Sequence, residues 1–319
     1  MDAKQRAVEE AGARIRGLLL GVAVGDALGV PVEFRPRGTF RIEGMRDHGT
    51  HDQPAGTWSD DTSLTLALAD AVEGGAVSLP RLARNFIAWH DAGAFTPHGV
   101  AFDMGNATAR AIGRLKRGVA PDEAGGADER DNGNGSLMRV APLVFLLAGK
   151  GPEERFRLIR AVSSVTHAHP WSITACWLFL EILRKLLAGL PKEKAYAEVR
   201  DEHASAPAFL DAAALAKFDR ILREDIRQIP EADIRSSGFV VDTLEAALWC
   251  LLTTGDYKDA VLRAVNLGED TDTIGAVTGA LAAMAYGPAS IPGEWLNQLQ
   301  AREQILRAAD RMARALVTH

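Results

Sequence analysis

Apolar residues recur at helical spacing along almost the whole chain, and strict polar–apolar alternation is nearly absent. Between Ala7 and Leu28, Val8, Ile15, Leu19 and Val22 fall on one side, and Gly29-Val30-Pro31 ends the run. The same spacing predicts helices over Leu64–Val72, Leu79–Trp89, Ala107–Lys116 and Glu153–Ser164. Ser172–Leu187 is more uniformly apolar, which predicts a central helix. Further helices are expected over Phe209–Arg223, Thr243–Leu252, Tyr257–Val265 and Ile274–Tyr286, and a last amphipathic one over Trp295–Leu316. The pattern predicts an all-α fold.

The interruptions divide the chain without splitting it. Val119–Gly133 is rich in Gly, Asp and Glu and reads as a surface loop. It runs into Asn132-Gly133-Asn134-Gly135-Ser136, where the glycines let the backbone approach a ligand closely. Pro191–Ser237 mixes charged and small residues and is expected at the periphery. With no repeat, low-complexity tract or linker, one domain over residues 1–319 is the expectation.

Composition narrows the class of protein. A net charge of −6 excludes the broad basic face that nucleic acid or an anionic membrane surface would need. Cys176 and Cys250 sit in apolar helical patterns and read as buried, reduced thiols, in keeping with a cytoplasmic location. The charged N-terminus lacks a secretory core, and the apolar run Gly17–Val30, interrupted by Asp26, reads as too short to span a bilayer.

The candidate chemistry lies in two acidic clusters, Ser59-Asp60-Asp61-Thr62 and Glu269-Asp270-Thr271-Asp272-Thr273, each opening an apolar helix. Either one alone would serve as a helix cap with first-turn carboxylates. Together they offer only hard oxygen donors, and adjacent carboxylates repel unless a cation compensates, which points to Mg²⁺ or Mn²⁺. Asp26 opposes the macrodipole at its helix C-terminus and Glu33 lies in an apolar stretch, so both are candidate functional carboxylates. Asp103 precedes a predicted helix. Asn134-Gly135-Ser136, with Arg139 close behind, reads as an anion cradle. His167 and His169 lack the partners of a soft-metal site and read as ligand-bonding or capping residues.

These stretches occur in a recognisable order: GDALGVPVEF, WSDDT, FDMGNAT, NGNGSLMRVAPL, SSVTHAHP, GFVVDTLEAALW and NLGEDTDTIGAVTGALAAMAYG. From Gly25 to Gly287 the set resembles the ADP-ribosylglycohydrolase family. The resemblance implies a compact orthogonal helical bundle with a binuclear Mg²⁺ or Mn²⁺ cleft, two ions per chain. It places the metal on Ser59, Asp60, Asp61, Asp270, Asp272 and Thr273, with Ser59 standing where the family usually has Thr. It implies catalytic roles for Glu33, Asp103 and Asp61, and contact of ADP-ribose with Asp26, Gly105, Asn106, Asn134, Gly135, Ser136, Arg139 and His167. The expected reaction releases mono-ADP-ribose from a modified protein, with arginine favoured because Asp103 follows a Phe as in the arginine-type members. A monomer is common for the fold. Hydrolysis of a serine, nucleic-acid-base or metabolite linkage, or non-catalytic masking of a transferase or its target, are the alternatives. A helical metal-dependent phosphohydrolase would want His–Asp ligand pairs, which are missing here.

Overall fold

The structure, a computed structural model, describes residues 3–317. Fourteen α-helices are formed among the described residues. They are α1 (Ala3–Gly29), α2 (Asp60–Asp70), α3 (Leu79–Ala92), α4 (Asn106–Lys116), α5 (Pro152–Ser164), α6 (Pro170–Leu187) and α7 (Lys192–Glu202). They continue as α8 (Ala212–Ala216), α9 (Asp219–Arg223), α10 (Val240–Leu252), α11 (Tyr257–Val265), α12 (Thr271–Tyr286), α13 (Gly293–Gln298) and α14 (Arg302–Val317). A two-strand hairpin, β1 (Val72–Glu73) against β2 (Ala76–Val77), is the sheet among the described residues. The all-α expectation therefore holds. One hydrophobic cluster draws on residues from Ile15 to Ala313. Cys176 and Cys250 are free and buried, as expected.

The core is organised by α1 against α12, and glycine is the reason they pack so closely. Gly21, Gly25 and Gly29 recur one helical turn apart on α1 and face Gly279, Gly275 and Asp272 in turn, so the two helices run antiparallel. A Cβ on Gly21 would lie 2.6 Å from the Gly279 carbonyl oxygen. On Gly25 it would overlap the Gly275 carbonyl, and on Gly29 the backbone of Asp272. This backbone-to-backbone seam carries the end of α1 to the start of α12, and so sets the second acidic cluster in place. Gly25→Ala is expected to destabilise the fold by at least ~3 kcal/mol, because no flexible side chain is there to yield. Equilibrium denaturation against the wild type checks this, and a loss under 1 kcal/mol would show that the seam can open.

Several expectations need correction. The stretch Val8–Val32 is long and apolar enough to cross a membrane by length and composition, contrary to the estimate from Gly17–Val30. Residues 17–32 of it are buried inside the protein, while Glu9, Glu10, Ala13 and Arg14 are exposed. The last helix is broken between α13 and α14, where the Gln300 amide bonds the Gly56 carbonyl at 3.0 Å and Ala301 takes φ 40°. Phe209–Arg223 divides into α8 and α9, with Asp211 capping the first through Ala213 and Ala214. The polar stretch after Pro191 holds a helix, α7, that buries Ala195, Tyr196 and Val199. The surface loop before Gly133 is tied down: the Gly125 amide donates to the Ser164 carbonyl at 2.7 Å, and Gly126 pairs with His167.

Candidate active site

Ser59 is the N-cap of α2; its Oγ accepts from the Asp61 amide at 3.3 Å and donates to Asp61 Oδ2 at 3.1 Å. Beneath it lies Asp26, fully buried near the end of α1. Asp26 Oδ1 accepts from the Ser59 amide at 2.9 Å, while Oδ2 accepts from the Thr62 amide at 3.0 Å and Thr62 Oγ1 at 2.6 Å. Burial pushes Asp26 up to about 7 against the pull of these hydrogen bonds. Asp26 is not among the residues that line the cavity described below, so the expected substrate contact gives way to a structural one. It clamps the turn that carries Asp60 and Asp61.

The second cluster opens α12. Asp270 is held by its amide to the Ser236 carbonyl at 3.0 Å, and its Oδ2 accepts from Asn134 Nδ2 at 2.8 Å. Thr271 Oγ1 donates to the Gly29 carbonyl at 2.8 Å, locking the helix start onto the end of α1. Thr273 Oγ1 lies 3.3 Å from Asp61 Oδ2 and joins the two clusters directly. The sequence expectation that the fold closes one cluster on the other is met in the structure.

The combined cluster is electrostatically incomplete. Burial raises Asp60, Asp61 and Asp272 well above the usual carboxylate range, and neighbouring acids raise each further: Asp103 most for Asp60, Asp26 for Asp61 and Glu33 for Asp272. Asp61 Oδ1 and Asp272 Oδ2 are buried and have no hydrogen-bond partner among the described residues. Carboxylate oxygens of Glu33, Asp270 and Asp272 lie within 4.8 Å of one another. Orphaned anionic oxygens in a buried all-oxygen donor set fit a hard divalent cation. Such an ion would reverse the like-charge repulsion.

Beside the cluster opens a cavity of about 550 Å³, within the usual range for a small-molecule site. Glu33, Asp60, Asp103, Asp270 and Thr273 face it from the acidic cluster. Gly105, Asn106, Asn134, Gly135 and His167 line it, and α4 starts at it with Gly105 as N-cap. Gly135 is required to be small there, because a Cβ would sit 2.8 Å from His167 Cε1. Burial, helped by the nearby Arg139 charge, pushes His167 down to about 3, so its imidazole is neutral and its Nδ1 lies 2.9 Å from Thr166 Oγ1. Burial likewise drives Glu33 up to about 11, with Asp103 and Asp270 adding like charge.

Besides Asp26, two further expected ligand contacts are not found at the cavity. Arg139 is fully buried, donates from Nη2 to Thr166 Oγ1 at 2.7 Å, and stacks over Phe86 at 4.8 Å. It braces the segment carrying His167 from behind. Ser136 is also fully buried, with its Oγ accepting from Ser163 Oγ at 2.9 Å. Proximity to a glycine loop had suggested an anion contact, but both side chains turn into the core. Conversely, His51, Phe34, Arg110 and Arg130 escaped the sequence reading. The last three line the cavity, and His51 touches Glu33. No spacing marks His51; its place is set by a turn that pairs His48 with Gln53.

An all-helical fold that closes two acidic helix starts beside a cavity has the parts a metal-assisted reaction needs. The chain belongs to the ADP-ribosylglycohydrolase family, whose model matches residues 7–319. It is 34% identical over 306 residues to an ADP-ribosylarginine hydrolase of Pseudomonas putida (strain GB-1), covering 95% of this chain and 79% of that one. An ADP-ribosylarginine hydrolase of Serratia proteamaculans (strain 568) is 32% identical, with 94% and 78% covered. The ADP-ribosyl-[dinitrogen reductase] glycohydrolase of Rhodospirillum rubrum is 30% identical, with 93% and 94% covered. A solved chain described as an ADP-ribosylglycohydrolase-related protein complex superposes with a TM-score of 0.81 at 34% identity, covering 97% of this chain and 99% of that chain.

Proposed function

We propose that this protein hydrolyses the N-glycosidic bond joining ADP-ribose to an arginine side chain of a modified protein, releasing free ADP-ribose. The observation that carries this reading is the buried acidic cluster with two orphaned carboxylate oxygens, set beside a cavity of about 550 Å³. Similarity to two ADP-ribosylarginine hydrolases across nearly the whole chain supports the arginine linkage.

Ser59, Asp60, Asp61, Asp270, Asp272 and Thr273 would hold Mg²⁺ or Mn²⁺, with two ions per chain. When bound, such ions supply Lewis-acid polarisation of ribose hydroxyls and of water. The remaining steps fall to this chain's own groups. Asn134 and Gly135, the α4 start at Gly105-Asn106 and neutral His167 orient the ADP-ribose. Glu33 and Asp103 face the same space and give a cationic guanidinium an acidic surface. As the bond from C1″ to the guanidinium nitrogen weakens, its electron pair passes to nitrogen and C1″ gains oxocarbenium character. Water adds its oxygen to C1″, and its proton passes through Asp103 or Glu33 to the departing guanidine, restoring the guanidinium. The leaving group is already cationic in the substrate, so little general-acid help is needed.

Peptides carrying ADP-ribose on arginine or on serine, incubated with the enzyme and Mg²⁺ or Mn²⁺, separate the linkages. Release from the arginine peptide should exceed release from the serine peptide by at least about 100-fold, a preference of ~3 kcal/mol. Equal release from both, or release from serine alone, would assign a different linkage.

A further inference from the structure

Glu33 stands in an unusual local setting. Its backbone is tied down on the C-terminal side: the Phe34 amide donates to the Glu269 carbonyl at 2.7 Å, and the Glu269 amide to the Arg35 carbonyl at 2.9 Å. Thr50 Oγ1 also donates to the Glu33 carbonyl at 2.7 Å, which docks the turn carrying His51 onto the Glu33 loop. Phe34, Asp103 and Glu269 all adopt left-handed backbone conformations, with φ of 62°, 58° and 62°, a strain that clusters at functional sites. With its main chain fixed, the position of the Glu33 carboxylate depends on what its side chain meets.

It meets two groups. His51 Nε2 hydrogen-bonds to Glu33 Oε2, and the same nitrogen lies 3.9 Å from Asp103 Oδ1. Asp103 adds like charge beside Glu33. Two mostly buried acids in contact repel unless a donor or a cation stands between them. The imidazole is the donor placed to do this, and two aromatic rings pack near it. Its ring centre is 5.2 Å from Phe102 and 6.0 Å from Phe34, and the Gln53 side chain holds the His51 carbonyl at 3.0 Å.

We propose that His51 is a positioning residue for the hydrolysis: it holds the Glu33 carboxylate turned into the cavity and apart from Asp103, and so sets the acid pair that handles water and the guanidinium. The inference rests on the arginine-hydrolase reading for its assay, but the contact itself is independent of substrate. Among the described residues His51 bonds Glu33 and lies near Asp103 but touches none of the six residues expected to hold metal, so a His51 variant leaves those six in place.

The test is a double-mutant cycle of His51→Ala and Glu33→Gln, with His51→Gln as the conservative variant, assayed on ADP-ribosylarginine peptide with Mn²⁺ binding measured in parallel. His51→Ala should lower kcat at least 10-fold with KM changed less than 3-fold. His51→Gln, which keeps an N–H donor, should recover most of that loss. In the Glu33→Gln background His51→Ala should cost nothing more, because its partner is already gone. Mn²⁺ affinity should be the same in the wild type, His51→Ala and His51→Gln. Unchanged kcat in His51→Ala, or a full additional loss in the double variant, would overturn the proposal. So would a parallel fall in Mn²⁺ affinity, which would mark a structural role. If the wild type itself left the peptide intact while binding Mn²⁺, the functional reading would fail instead; the His51–Glu33 contact would then be judged from the shift of the His51 imidazole ¹⁵N resonances on Glu33→Gln, where no shift overturns it.

Discussion

Asp61→Ala is expected to lower kcat/KM for ADP-ribose release by at least about 1,000-fold, which corresponds to ~4 kcal/mol of lost transition-state stabilisation. Asp61 is fully buried and sits at the junction of the two clusters, with Oδ2 bonded to Ser59 on one side and Thr273 on the other. Its Oδ1 has no partner among the described residues and is free to bind a cation. Removing this carboxylate takes away both the bridge and a proposed metal ligand. Asp272→Ala, which removes the other orphaned oxygen from the opposite cluster, should cost about as much. The pair should be far from additive, because each disables the same site. Steady-state kinetics on arginine-modified peptide checks this. A loss under 10-fold in either variant would mean that its cluster is a helix cap and no more.

Removing divalent metal is expected to have the second largest effect, and its sign depends on pH. In chelator, Asp60, Asp61 and Asp272 keep folded-state pKa values well above the unfolded carboxylate range. The native chain then binds more protons than the unfolded one, so stability present at about pH 4 is lost as pH rises through the raised values. Saturating Mn²⁺ should oppose that loss. At 100 times its Kd it adds ~2.7 kcal/mol, or roughly 5 °C in Tm for a chain of this size. The gain should be larger at pH 8 than at pH 6, because the ligands must shed protons to bind. Asp61→Asn reverses the pattern: without metal at pH 8 it should be more stable than the wild type, having lost a buried unpaired charge, and it should gain little from Mn²⁺. Thermal unfolding at both pH values, with EDTA and with Mn²⁺, checks all three statements. A wild-type Tm insensitive to Mn²⁺ at pH 8 would contradict them.

Much of the architecture was readable because helices announce themselves locally. The apolar spacing of α5, α6 and α11 is a property of each segment alone, and so are the carboxylates that open α2 and α12. What brought those carboxylates together was also written in the chain, as glycines at 21, 25 and 29, but their meaning depends on a partner helix far away. The misassigned residues share one cause. Asp26 and Arg139 carry charges next to motifs, and charge beside a motif suggests a ligand contact. The structure spends both charges in the protein interior, on backbone amides and on Thr166. His51 failed in the opposite direction, since a histidine in a polar turn has no pattern until the turn folds against Glu33. The break between α13 and α14 was hidden for a similar reason: hydrogen bonds from Gln300 to the loop at residues 55–56 override an amphipathic pattern that runs through it.

The central claim is that two acidic clusters distant in sequence form one divalent-metal site. Mn²⁺ binding followed by electron paramagnetic resonance, on the wild type and on Asp61→Ala and Asp272→Ala separately, tests it without recourse to substrate. The account predicts saturable binding by the wild type and its loss in each variant, although each removes a ligand from only one cluster. Wild-type Mn²⁺ affinity in either variant would contradict it.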